Sequence, residues 1–262
     1  MKFLIIGDIV GRMARNILKT QLINIIEKNG IQFVIANGEN ASGGNGLTYK
    51  NAQELFSYGI DVITMGNHVW DKKEITQYID QEKRLVRPSN YPSPCPGRGY
   101  TIINKNNIRI GIINLSGRVF LNPLDCPFKT FEKDYDFLKN NTDIIILDFH
   151  GEATAEKVAM GWFVDGKISL IYGTHTHIQT ADEKILPKGT GYITDVGMTG
   201  PYYSVLGIDR DIIIEKFITQ RPIRFEISSG PIEINGIIVE IDENNGKCFK
   251  IERFKQLYEE IL

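Results

Sequence analysis

The chain has 262 residues, with 30 Lys+Arg against 32 Asp+Glu, a formal charge of -2 and four histidines. Hydrophobic residues at 42% and charged residues at 24% exclude collagen, coiled coil and disorder, and a chain this long needs no disulfide or metal to hold its core. The near-neutral balance argues against a protein built to hold long nucleic acid, but does not exclude a small nucleotide.

The opening MKFLIIGDIVGR lacks the long apolar run and the small-residue cleavage site of a signal peptide. No apolar run reaches about 18 residues, so no membrane span is expected. Cys95, Cys126 and Cys248 are far apart, odd in number and free of any CxxC pair. Three reduced thiols in a cytoplasmic protein are expected.

Short, β-branched apolar runs recur along the chain, each ending at a polar or glycine-rich cluster. Phe3–Ile6 ends at Gly7-Asp8, Phe33–Ala36 at Asn37-Gly38-Glu39-Asn40, and Val62–Met65 at Gly66-Asn67-His68. Ile144–Leu147 ends at Asp148-Phe149-His150, and Leu170–Tyr172 at Gly173-Thr174-His175-Thr176-His177. Continuous runs of this kind read as strands buried on both faces. Between them, Ala14–Lys28 carries Ile17, Leu18, Leu22, Ile25 and Ile26 on one helical face. Asn51–Tyr58, Lys72–Ile79 and Ala153–Phe163 are further helix candidates. Arg87–Gly99, with four prolines and two glycines, reads as loop, and Ile108–Leu115 as a strand. Phe225–Ile241, with Gly230-Pro231 and Asn235-Gly236, reads as antiparallel strands and turns, and Asn244-Asn245-Gly246 as a further hairpin turn before Cys248–Ile251. The alternation predicts an α/β fold in one domain over residues 1–262. Ligands in such folds bind beyond the carboxyl ends of the strands, and five clusters lie at such ends.

All four histidines, His68, His150, His175 and His177, fall in these clusters, beside Asp8, Glu39, Asn40 and Asn67. A lone histidine at a strand end is usually structural; four of four is not explained that way. Imidazole, carboxylate and amide oxygen suit Fe, Mn or Zn. No cysteine lies in the clusters, which argues against a structural Zn–thiolate site. His175 and His177 alternate on extended backbone, so their side chains diverge, and two ions roughly 3.5–4 Å apart would let each serve a different one.

Gly66-Asn67-His68 followed by Gly173-Thr174-His175-Thr176-His177 resembles the blocks of the calcineurin-like metallophosphoesterases. The chain is most similar to their YmdB-like branch. GDIVGR (7–12), ANGENASGG (36–44), GNHVWDKKE (66–74), RPSNYP (87–92) and PGRGY (96–100) carry the first half of that resemblance. GRVF (117–120), DCPF (125–128), DFHGEATAEK (148–157), GTHTHIQTADE (173–183) and TDVGMTGP (194–201) carry the second. Each block is weak alone, but the ordered series spans nearly the whole chain.

The resemblance implies a four-layer αββα sandwich of two mixed β-sheets flanked by helices, with a dinuclear metal site. One ion takes Asp8, Glu39 and His177, with Asn40 nearby; the other takes Glu39, Asn67, His150 and His175, so that Glu39 bridges. The wider superfamily begins with D-x-H, whereas the third position here is Val10; Asn40 is the candidate replacement for the missing imidazole, and Glu39 stands at the usual bridging Asp. Fe is the first expectation, with Mn or Zn as alternatives. Two divalent ions against Asp8, Glu39 and a bridging hydroxide leave a net charge of about +1, which suits an anionic phosphodiester. Attack by that hydroxide on a cyclic nucleotide, above all a 2′,3′-cyclic nucleotide, is the expected reaction. His68 is assigned the proton donation to the leaving oxygen or the binding of a phosphoryl oxygen; a metal ligand or a brace is the alternative. A phosphomonoesterase on the same metals and a regulatory RNA- or protein-binding scaffold are the competing functions. The resemblance also implies RNA-turnover partner proteins and a homo-oligomer.

Weaker features remain open. Gly43, Gly44 and Gly46 form either a phosphate cradle or a tight turn, and Arg98 and Arg118 either contact substrate or make structural ion pairs. Asp148 and Asp195 either orient ligand histidines or satisfy strand ends. Trp70, Tyr202 and Tyr203 are base-stacking candidates whose ordinary role would be core, and Lys72-Lys73 reads as a solvated helix start.

Overall fold

The computed structural model describes residues 1–259, so the last three positions of the expected 1–262 domain lie outside the described residues. Strand β1 (Lys2–Ile6) shows how the apolar runs are used. Side chains alternate across a strand. Leu4 and Ile6 enter one apolar cluster, and Phe3 and Ile5 enter another on the opposite face. Burial on both faces is why the run is continuous.

The chain continues through β2 (Asp8–Ile9), α1 (Gly11–Asn29), β3 (Phe33–Asn37), α2 (Tyr49–Ser57), β4 (Val62–Thr64), α3 (Ile75–Tyr78) and β5 (Leu85–Val86). Next come β6 (Tyr100–Lys105), β7 (Ile108–Ser116), α4 (Pro127–Leu138), β8 (Ile144–His150), α5 (Thr154–Val164), β9 (Leu170–Thr174), β10 (Lys184–Ile185) and β11 (Gly191–Ile193). The last elements are β12 (Met198–Pro201), α6 (Arg210–Thr219), β13 (Ile232–Ile241) and β14 (Cys248–Tyr258). An eight-stranded sheet has the order β2-β12-β13-β1-β3-β4-β5, with β14 on β13, and a six-stranded sheet has the order β10-β11-β9-β8-β7-β6. The runs β1-β3-β4-β5 and β7-β8-β9-β11 are parallel; β6, β10, β13 and β14 pair antiparallel.

Three apolar clusters define four layers. One joins α1 and α2 to the larger sheet, through Ile17, Leu18, Leu22 and Leu55. The second lies between the sheets, through Phe33, Ile35, Ile112, Ile146 and Tyr172. The third joins α4 and α5 to the smaller sheet, through Phe131, Leu138, Met160 and Val164. The fold is the mixed αββα sandwich that the resemblance implied. Among the described residues, no helix is long and apolar enough to cross a membrane.

Two elements differ from the sequence reading. The helix expected over Lys72–Ile79 is a single turn, Ile75–Tyr78, so Lys72-Lys73 is not its start but precedes it in a turn. Asp71 accepts from the Asn45 amide at 2.9 Å, and Glu74 accepts the Tyr49 N–H at 2.7 Å, so both side chains serve neighbouring segments. Of the strands and turns expected over Phe225–Ile241, the strand begins only at Ile232, and Asn235-Gly236 is not a turn but lies inside β13, where Gly236 lets the backbone pass close to the Ile5 carbonyl. Gly230, at φ +106°, and Pro231 interrupt the extended chain. The loop expected over Arg87–Gly99 is irregular but pinned: the buried Arg87 guanidinium donates to the carbonyls of Pro88, Cys95, Pro96 and Gly97.

Candidate metal centre

The carboxyl ends of β1, β3 and β4 in one sheet meet those of β8 and β9 in the other. The cluster forms where they meet. His150 Nε2 lies 2.9 Å from Asn67 Oδ1, 3.0 Å from Glu39 Oε1 and 3.1 Å from His175 Nδ1. One ring nitrogen carries at most one proton, so it cannot satisfy three such neighbours. Glu39, His150 and His175 form a group of ligand atoms all within 4.8 Å of one another. Asp8, Asn40 and His177 stand on the adjoining side. The Asn40 amide is 2.9 Å from His177 Nε2, and Asp8 Oδ1 is 3.9 Å from the same nitrogen. Asp8 Oδ1 and Asn40 Oδ1 are buried without a hydrogen-bond partner, and Glu39 Oε1 faces only the crowded His150 ring nitrogen. Leaving such atoms unpaired costs about 1–3 kcal/mol each, and a bound cation removes that cost. The donor set of carboxylate, amide and imidazole fits Fe, Mn or Zn.

The outer partners fix which nitrogen faces the cluster. Thr174 gives its hydroxyl hydrogen to Asp148 at 2.7 Å, so at 2.9 Å it must accept from His150 Nδ1–H. His177 Nδ1–H donates to the Leu206 carbonyl at 3.0 Å. His175 Nε2 meets Glu152 at 3.1 Å. Each ring therefore turns its other nitrogen inward, as in carboxylate– and carbonyl–histidine–metal arrangements. The extended backbone expected across this pair is not formed: β9 ends at Thr174, and His175 and His177 have φ of +97° and +63°, a left-handed conformation that non-glycine residues adopt at a cost of order 1–3 kcal/mol. Gly66 is required for a different reason: a Cβ there would collide with His150 Nε2 and Glu39 Oε2.

The electrostatics follow from burial and contact. Burial pushes the Glu39 carboxyl up, but the facing His150 and the His68 N–H outweigh it and hold it down at about 2. Burial pushes the His150 imidazole down, and Glu39 reverses this and raises it to about 9. Burial and then the His150 charge lower His175 to about 3. Burial raises Asp8, and raises Asp148 to about 7.

His68 is not in the cluster. Its backbone N–H donates to Glu39 Oε2 at 2.9 Å, and its ring Nδ1 lies 2.8 Å from Asp71 Oδ2. The side chain is 39% exposed, and it lines a cleft of about 560 Å³ with Glu39, Asn40, His175 and His177. Gly43 and Gly44 line the same cleft, at φ +77° and +95°. Trp70 packs edge-on against Tyr91, and Tyr202 stacks edge-on with Tyr203. None of these aromatics lines the cleft, nor do Arg98 and Arg118. Arg98 donates to the Asp80 carbonyl at 2.8 Å, while the Arg118 N–H donates to Glu156. Asp195 accepts the Thr176 N–H at 3.1 Å and meets the buried Lys157 at 2.6 Å.

The sequence reading missed Asp71, Glu152 and Lys157. Asp71 had a usable signal, three residues after His68. Lys157 had a subtler one, a lysine on the core face of a helix.

Residues 4–254 match the family model described as YmdB-like protein. A 2′,3′-cyclic-nucleotide 2′-phosphodiesterase of Bacillus subtilis (strain 168) is 49% identical over 253 residues, covering 97% of this chain and 96% of that protein. A crystal structure of a hypothetical protein from Thermus thermophilus superposes with a TM-score of 0.93 at 35% identity, over 98% of this chain and 99% of the other. A crystal structure of a novel phosphatase from Mycoplasma pneumoniae superposes with a TM-score of 0.93 at 37% identity, over 99% and 94% of the two chains. The chain belongs to the YmdB-like protein family.

Proposed function

We propose that this chain is a two-metal phosphodiesterase that opens nucleoside 2′,3′-cyclic phosphates. The observation that carries this reading is the convergence of Asn67, Glu39 and His175 on His150 Nε2, beside buried, unpartnered oxygens of Asp8 and Asn40. Asp8, Asn40 and His177 would hold one ion, Asn67, His150 and His175 the other, and Glu39 both. Fe is the first choice, with Mn or Zn as alternatives. Bound ions supply positive charge for the phosphoryl oxygens and acidify water at neutral pH.

The chain's own residues supply the rest. Water attacks phosphorus, the P–O2′ bond breaks, and His68 gives a proton to the departing O2′, leaving a 3′-phosphate. Asp71 holds His68 Nδ1–H at 2.8 Å, so that Nε2 is the nitrogen left to carry the transferred proton. This cleavage matches the activity for which the Bacillus subtilis relative is named. An RNA 3′ end bearing the same cyclic phosphate is the polymeric form of the substrate, which is where the expected link to RNA turnover enters. The homo-oligomer expected from the resemblance is supported by Ile214, Phe217 and Ile218 on α6, each more than half exposed.

The test is an assay of protein loaded anaerobically with Fe²⁺ or with Mn²⁺, paired with metal analysis. Two ions per chain and faster cleavage of adenosine 2′,3′-cyclic phosphate than of adenosine monophosphates are expected. Faster monoester cleavage would favour the phosphomonoesterase. Metal-loaded protein that binds RNA but cleaves no phosphoester would favour the scaffold.

A further inference from the structure

The cleft has two unlike walls. One is the polar cluster. The other is built from Val10, Leu206, Ile208, Phe225 and Ile227. Leu206, Ile208, Phe225 and Ile227 lie outside the three apolar clusters of the fold. Leu206 and Phe225 are both 44% exposed. Large apolar side chains that face an enzyme's cleft rather than its core need an occupant to cover them.

The wall is fastened to the metal ligands. Ile208 bridges Ile227 in antiparallel fashion, and the Ser228 N–H donates to the Gly207 carbonyl at 3.0 Å, forming a short two-stranded arm. Leu206 has φ +55°, and its carbonyl is the acceptor for His177 Nδ1–H. Ile227 lies over the glycine-rich loop, where a Cβ at Gly44 would come within 3.4 Å of its Cδ1. Lys216 Nζ sits 4.4 Å from the Phe225 ring centroid, so a cation braces the ring from one side.

Resting on the phosphodiesterase reading, we propose that this arm is the nucleobase subsite, with Phe225 as its stacking platform. The phosphate lies over the metal ligands, and the base lies against Phe225, Leu206 and Ile227. The five wall side chains carry no hydrogen-bonding group. They grip the face of a base without reading its edge, so the subsite accepts all four bases. This assigns stacking to Phe225 rather than to Trp70, Tyr202 or Tyr203.

The test uses metal-loaded full-length protein and three cyclic phosphates: adenosine, uridine and a base-free methyl riboside. In Phe225→Ala, KM for the adenosine and uridine substrates should rise about tenfold, a stacking-sized effect, with kcat within about twofold. Turnover of the base-free diester should not change, and Phe225→Trp should restore the adenosine KM. Unchanged KM for both nucleotides, or an equal loss on the base-free diester, would overturn the proposal. A direct titration separates it from the wider functional reading. Adenosine 3′-monophosphate should bind Phe225→Ala about tenfold more weakly than wild type, while inorganic phosphate binds both alike. If the wild type cleaved none of the three diesters, the phosphodiesterase reading would fail, and that titration would still decide the subsite. Equal binding of the nucleotide to both proteins would overturn it.

Discussion

Lys157 and Asp195 form an ion pair at 2.6 Å with both side chains almost wholly out of water. Lys157 Nζ also donates to the Thr174 carbonyl at 2.8 Å, and Asp195 Oδ2 accepts the Thr176 N–H at 3.1 Å. The pair thus grips the backbone on both sides of His175, the residue held at φ +97°.

Removing one partner leaves a buried charge alone. Lys157→Met should cost about 3–5 kcal/mol in urea denaturation. It should also weaken metal binding by about 10–100-fold, because the His175 loop loses its anchor. The double variant Lys157→Met/Asp195→Asn removes both charges and should regain stability without regaining metal affinity. Recovery of both together would show that the pair serves only the core.

His68→Ala should keep two ions per chain and lose about 10²–10⁴ in kcat, the range for a lost general acid. Metal content by mass spectrometry and a cyclic-nucleotide assay on the same sample decide this. If metal falls with activity, His68 is a ligand or a brace. Asp71→Asn should give a smaller loss, because the imidazole keeps its place but loses its charged partner.

The metal-free chain should show two pH limits. His150 is raised to about 9, so its pairing stabilises the fold fully below about 6.5 and is lost as pH rises through about 9. Glu39 is depressed to about 2, so its contribution is present above about 4.5 and is lost as pH falls through about 2. Metal requires a neutral imidazole. Binding near pH 7 should therefore release about one proton from His150, and apparent affinity should climb between pH 6 and 9, by up to about tenfold per unit. His175, held at about 3, is already neutral and adds nothing to this count. Calorimetry in two buffers of different ionisation enthalpy counts the proton, and an affinity flat with pH would contradict the assignment.

Gly66→Ala should fold but bind metal poorly, since its Cβ would enter the space between His150 and Glu39. The readout is the loss of metal-induced thermal stabilisation. Ligand at about 100 times its Kd stabilises by about 2.7 kcal/mol, or roughly 5–10 °C in Tm for a chain of this size. A variant that still shows the full shift would rule the crowding argument out.

The strands were legible because doubly buried strands leave continuous apolar runs, such as Phe3–Ile6 and Ile144–Leu147. The polar clusters at their ends were legible because every imidazole stood in one. Pairing order was less legible, because β13 joins β1 from the far end of the chain and no local pattern announces that partner. Lys157 was hidden because a lysine on a helix normally reads as solvated, and only its fold neighbours Asp195 and Thr174 give it a role. The apolar wall was hidden for the opposite reason. Leu206, Ile208 and Ile227 look like core residues, and only the three-dimensional path of the arm turns them toward the cleft.

The smaller sheet is one uninterrupted stretch of chain, β6 to β11, and the larger sheet is assembled from the segments on either side of it. Asp8 opens β2 of the larger sheet, and Glu39 and Asn67 lie just past its β3 and β4, while His150 closes β8 of the smaller sheet and His175 directly follows β9. The candidate centre is therefore a joint between two slabs built from different stretches of chain, and the spacing of its side chains works as a gauge of their alignment. A slip of half a residue along one strand, about 1.7 Å, is enough to part a nitrogen from an oxygen that lies 3.0 Å away, as His150 Nε2 lies from Glu39 Oε1. Phe33, Ile112, Ile146 and Tyr172, packed between the slabs, touch no substrate, yet they set that alignment. Repacking them is a route to retuning metal affinity from a distance.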